Sequence, residues 1–221
     1  TSLALGKKTD ARDGFDLAAQ DPRYRGAAYT EISRMELKDA RFDAAVDYAE
    51  RSLQENQFNT EAMQLLAVAQ RVRPRGASAP GPADSLWLSR IRFVNPLNHF
   101  SWFESYLLKG TPAAQKNFTS GIKNELAVES YLELAAWYYR LGLLKDAHKV
   151  LELAPSNAEV LFWLAFLDQQ LTGSSEKSLA KAVDASVKGV FPFRPESAEV
   201  FAWATGVTSN WKPKYLLGLI Y

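Results

Sequence analysis

Apolar residues recur along this chain at intervals of three and four rather than two. Tyr29, Ile32 and Ser33 are echoed by Met63, Leu66 and Ala67, then by Leu134, Ala135 and Tyr138, and again by Leu161, Leu164 and Ala165. Such spacing lays a stripe along one side of a helix. No stretch keeps up the period-two alternation of a strand between hairpin turns such as Asn-Gly or Asp-Gly. The pattern predicts an all-α protein, with helices near 7–20, 23–38, 42–56, 59–72, 84–93, 98–108, 112–122, 124–141, 145–153, 156–171, 176–187, 196–207 and 211–221. Three prolines and two glycines crowd the stretch from Arg73 to Pro82, which cannot be helical. Residues 73–83 read as an insertion loop within one unit rather than a domain linker, because the helix after it is needed to cover the helix before it.

The pattern also repeats. Ala11, Phe15 and Ala18 correspond to Ala45, Ala49 and Ser52 about 34 residues later. A small residue at such positions lets two helices approach closely, and a larger one nearby fills the groove. The fullest unit runs from Tyr131 to Ala147. Leu134, Ala135 and Tyr138 lie on its first helix, Gly142 ends that helix as a left-handed cap would, and Ala147 opens the second. Pro155-Ser156-Asn157 then supplies a turn and an N-cap for the next helix. These residues resemble the tetratricopeptide-repeat family. The resemblance implies a right-handed solenoid of antiparallel helix hairpins, about 11–13 helices in a single domain over 1–221. Leu3-Ala4-Leu5-Gly6 and Leu217-Gly218-Leu219-Ile220-Tyr221 read as parts of further helices, so the chain is expected to be a piece of a longer array.

Less generic phrases carry a second resemblance. Asn95-Pro96-Leu97-Asn98-His99-Phe100, Asn124-Glu125-Leu126, Tyr131-Leu132-Glu133-Leu134-Ala135, Phe191-Pro192-Phe193-Arg194-Pro195-Glu196 and Trp211-Lys212-Pro213-Lys214-Tyr215-Leu216-Leu217 appear in that order. The stretch from Tyr24 onward resembles the carboxy-terminal helical region of a family of large bacterial proteins with a β-rich domain of unassigned function ahead of the repeats. It implies contacts with other proteins and carries over no functional residue.

Composition narrows the chemistry. The 221 residues are 47% hydrophobic and 23% charged, ordinary for a globular chain. Lys and Arg (26) nearly balance Asp and Glu (25), giving a net charge of +1 and no overall field for a polyanion, so nucleic acid is not an expected partner. Cysteine is absent, which removes disulfides, thiolate metal sites and a cysteine nucleophile. No apolar run reaches the roughly 18 residues of a membrane span, and no signal-peptide pattern opens the sequence. The two histidines, His99 and His148, sit in different hairpins without H-E-x-x-H spacing, so no metal site is expected. Phosphate-binding glycine motifs and the G-x-S-x-G elbow are missing too, and no cofactor is expected.

Glu125, Glu129 and Glu133 recur every four residues and would share a helical face, where three acids in line could hold a cation or supply acid/base groups, as two facing carboxylates do in glycosidases. Like charges at that spacing more simply belong to a solvated or ion-paired face, with Glu133 the one expected to be buried and hydrogen-bonded. The six tryptophans read as core packing rather than a sugar platform. Phe191-Pro192-Phe193-Arg194-Pro195 reads as a rigid turn despite its P-x-x-P spacing, and Asn117-Phe118-Thr119 is only a formal glycosylation sequon.

The reading that follows is a non-catalytic protein- or peptide-interaction module, not an enzyme. In the tetratricopeptide family the concave groove is lined by first-helix residues beside the packing positions. That places Arg34, Lys38, His99, Phe103, Tyr106, Tyr139, Arg140, Phe162 and Phe166 on the candidate binding face. Aromatic and basic groups together would suit an extended acidic or C-terminal peptide, or another domain of the same protein. An alternative makes the region a helical accessory of a multidomain, carbohydrate-active enzyme. No membrane partner is expected, and with no targeting signal legible the cytoplasm is the default compartment.

Overall fold

A computed structural model of the chain describes residues 6–74 and 84–221. Among them every regular element is a helix, thirteen in all, with no strand. Each of the thirteen expected helices is present, with ends shifted by at most three residues. Arg73 and Pro74 are non-helical, as the proline-rich stretch requires, and the rest of the expected insertion, 75–83, lies outside the described residues. Where the sequence reads as one array, contacts gather into two compact units, 1–121 and 122–221.

The first unit contains α1 (Lys8–Ala18), α2 (Pro22–Lys38), α3 (Phe42–Glu55), α4 (Thr60–Val72), α5 (Asp84–Val94), α6 (His99–Lys109) and α7 (Pro112–Gly121). Consecutive helices pack on one another, and α4 also touches α2 and α6. Partners across α2 and α3 run in opposite directions: Gly26 O accepts from Ser52 Oγ at 2.8 Å, Ser33 Oγ donates to Ala45 O at 2.7 Å, and Glu36 pairs with Arg41. The two helices are therefore antiparallel. A Cβ on Gly26 would meet Glu55 Cβ at 3.2 Å, so glycine permits this close approach. Across α2 and α4 the partners rise together, Thr30 with Asn59 and Arg34 with Glu61, which makes alternate helices parallel. The core centres on α4, whose Met63, Leu65, Leu66 and Val68 are fully buried, each contributing about 2 kcal/mol by removal from water.

The second unit contains α8 (Ala127–Arg140), α9 (Leu144–Leu151), α10 (Ala158–Thr172), α11 (Glu176–Asp184), α12 (Pro195–Val207) and α13 (Trp211–Gly218). Its centre is α10, which packs against α9, α11 and α12 and buries Phe162, Trp163, Phe166 and Leu167. Glu159 and Trp163 meet Ser197, Phe162 meets Phe201, and Phe166 meets Trp203, so α10 and α12 run parallel.

Local chemistry starts and stops these helices. The side chains of Asp21, Asn59, Asn98, Asn157 and Asn210 each accept a first-turn N–H of the helix they precede. One turn recurs in both units. After α2, Ala40 takes a positive φ of 57° and Arg41 N–H reaches back to Glu36 O at 2.9 Å; after α8, Gly142 takes φ 75° and Leu143 N–H reaches Tyr138 O at 3.0 Å. Both are left-handed helix ends closed by a six-residue backbone bond.

Candidate interaction face

The expected binding residues divide between the units. On α2, Arg34 is not free: its guanidinium pairs with both Glu31 and Glu61. Burial opposes its charge, but Glu61 and Glu31 more than offset that, so its pKa is raised and it remains cationic. Lys38, in the last turn of the same helix, is exposed. On α6, His99 and Tyr106 are half-buried. Asn98 caps that helix, its side chain accepting Ser101 N–H at 3.1 Å.

Three of the named aromatics are corrected by the structure. Phe103, Phe162 and Phe166 are 0%, 0% and 3% exposed and offer no surface to a ligand. Phe103 packs 5.1 Å from Phe118, Phe162 meets Phe201 edge-on at 5.8 Å, and Phe166 is closed over by Tyr139 and Trp203 at 5.7 and 5.6 Å between centroids. Helical spacing placed them beside the packing positions, but the neighbouring helices come close enough to absorb them into the core.

Tyr139 and Arg140 do meet a common set of groups in the second unit. Arg140 Nη1 lies 3.3 Å from Glu196 Oε1, and Tyr139 lies close enough to Glu199 to feel its charge. Burial chiefly, then the neighbouring carboxylates of Glu199 and Glu196, push the Tyr139 phenol well above its usual range. Its ring stands edge-on to Trp163 and Phe166. The face so formed carries Tyr139 and Arg140 from α8 with Glu196, Glu199 and Trp203 from α12. The α12 residues were not foreseen; the signal was present in the Glu196, Glu199, Trp203 spacing, which lays all three along one side of a helix.

Beneath that face lies a buried polar chain. Trp163 Nε1 donates to Ser197 Oγ at 3.0 Å, and Ser197 Oγ donates to Glu159 Oε1 at 2.6 Å. Burial raises the Glu159 pKa, with Ser197 and Arg194 pulling the other way. Arg194, just before α12, pairs with the Glu129 carboxylate and donates to Glu129 O at 3.1 Å. Every member is partnered, so the chain ties α8, α10 and α12 together.

The glutamate row does not form. Helix α8 begins at Ala127, leaving Glu125 in the preceding turn, where Asn124 Nδ2 donates to Ser130 Oγ at 2.8 Å. Glu129 is engaged by Arg194, and Glu133, expected to be buried, is exposed. His148 Nε2 contacts Asp168 Oδ1 at 2.9 Å, a tie between α9 and α10. Among the described residues no group of three His, Asp or Glu side chains is placed to hold a metal ion. Nor is any described helix long and apolar enough to cross a membrane. Of the tryptophans, Trp163 is fully buried, whereas Trp211 is 58% exposed and meets Tyr215 edge-on.

No known protein-family profile and no curated protein matches this sequence.

Proposed function

We propose that the chain is a non-catalytic module for binding a protein or peptide, built from helix hairpins of the tetratricopeptide kind. One observation carries this reading: within each unit alternate helices run parallel, α2 with α4 and α10 with α12, and in the second unit they bring half-exposed aromatic and charged groups such as Tyr139, Glu196 and Trp203 together. The recurring turn supports the family assignment. Ala40 and Gly142 are 102 positions apart, three periods of about 34 residues, and at the same offset Ala45 and Ala147 are both fully buried. The ionisable groups with displaced pKa values in the second unit, Tyr131, Tyr139 and Glu159, are shifted first by burial and not by one another, which suits packing more than proton transfer.

A random-peptide display selection against the intact chain tests the reading. An enriched consensus peptide is expected, with its affinity changed, in the direction set by the peptide's own charge, by reversing exposed charges on the first helices, Lys38→Glu or Arg140→Glu. Failure to enrich any sequence, together with glycoside turnover abolished by Glu129→Gln, would replace the module with an enzyme.

A further inference from the structure

Charge in the second unit is sorted by helix. Helices α8, α10 and α12 contain no lysine, and their acids are Glu129, Glu133, Glu159, Asp168, Glu196 and Glu199 against the single cation Arg140. Helices α9, α11 and α13 carry two lysines each, Lys145 and Lys149, Lys177 and Lys181, Lys212 and Lys214, against the acids Asp146, Glu176 and Asp184. This sorting follows the packing, since the first set adjoin one another through Tyr139, Phe166 and Trp203.

The exposed edge of the first set is acidic and aromatic together. Glu129, Glu133 and Arg140 lie on one stripe of α8, four and seven residues apart, and the pairs Glu129–Arg194 and Arg140–Glu196 turn that stripe toward the start of α12. Two of the four carboxylates on this edge are thus neutralised within the protein. Glu133 and Glu199 remain exposed; Trp203, one turn beyond Glu199 on α12, and Tyr139, close to Glu199, are half-exposed. A ring face attracts a cation, and a nearby carboxylate adds to that attraction.

We infer that this face docks a basic protein segment, a lysine or arginine of the partner lying against Tyr139 and Trp203 with Glu199 as its counter-ion, and Glu133, on the Arg140 stripe of α8, meeting a further basic residue of the segment. The inference rests on the interaction-module reading and reverses the acidic ligand that residue type alone suggested. Arg140, the basic group that the second unit contributes to that expectation, is held by Glu196; the net charge left for a partner is negative.

The test is fluorescence anisotropy on the intact 221-residue chain, with a labelled Lys-Ala repeat peptide and its Glu-Ala counterpart as probes. The lysine peptide is expected to bind more tightly and to weaken as salt rises. The double substitution Glu133→Gln and Glu199→Gln, at exposed positions that should not disturb folding, is expected to weaken it roughly fivefold or more. Lys181→Gln, on α11, should leave it unchanged. Equal or tighter binding of the glutamate peptide through the same face overturns the inference while leaving the module reading intact. An unchanged affinity in the double variant, or no binding of either peptide, overturns it as well, and the display selection then decides the module reading separately. Self-association abolished by both Glu199→Gln and Lys181→Gln would put a second copy on this face and overturn it too.

Discussion

Ala40 holds a backbone conformation that L side chains rarely adopt, whereas the matching turn after α8 uses Gly142. Left-handed φ brings an alanine Cβ against its own carbonyl, a cost that glycine avoids. Ala40→Gly is therefore expected to stabilise the protein by about 0.5–1 kcal/mol, net of the extra freedom glycine gives the unfolded chain. Chemical denaturation with an unchanged slope measures it, and a loss of stability would refute the strain. The sequence displayed Gly142 as a helix stop because glycine is the usual choice there. It concealed Ala40, because the conformation of an alanine is imposed by the bond from Arg41 N–H to Glu36 O and not by its own side chain.

Helix α1 is held differently from the rest. Ala11 is its only buried residue, Gly14 weakens its middle, and no side chain caps its start. Its attachments are charged: Lys8 to Asp39, and Arg12 to Glu36 and to the Tyr48 hydroxyl at 2.8 Å. Glu36 is buried, which alone would raise its pKa, but Arg41 and Arg12 outweigh burial and hold it below the ordinary 4.5. A carboxylate with a depressed pKa binds fewer protons in the folded than in the unfolded state. Its contribution is complete above the unfolded value and disappears as pH falls through the folded one. Docking of α1 should accordingly weaken in acid below about pH 4.5. At neutral pH, Glu36→Gln should cost about 2 kcal/mol and speed amide exchange across 8–18 while α10 keeps its protection. Undiminished protection of α1 in that variant would show that apolar contact suffices. Sequence exposed the helix but not its latch, since Arg12, Glu36 and Arg41 are brought together only when α1, α2 and the start of α3 pack.

At the scale of the whole molecule, the chain forms two compact units, each with its own buried centre, α4 in one and α10 in the other. A span of about 100 residues with a continuous core can fold alone. The fragment 122–221 is expected to melt cooperatively by far-ultraviolet circular dichroism, and a broad, featureless melt would contradict independence of its core. The sequence by itself determined that this protein is helical, where its helices begin and end, and which small residues line their contacts. Those properties depend on periodicity, caps and turns, which act over a few neighbouring residues. Only the tertiary structure decided that Phe103, Phe162 and Phe166 are core, that Glu133 is exposed, and that Arg34 and Arg140 are already paired. A helical period fixes the side of the helix on which a residue lies; whether that side is covered, and by which charge, depends on helices distant in the chain.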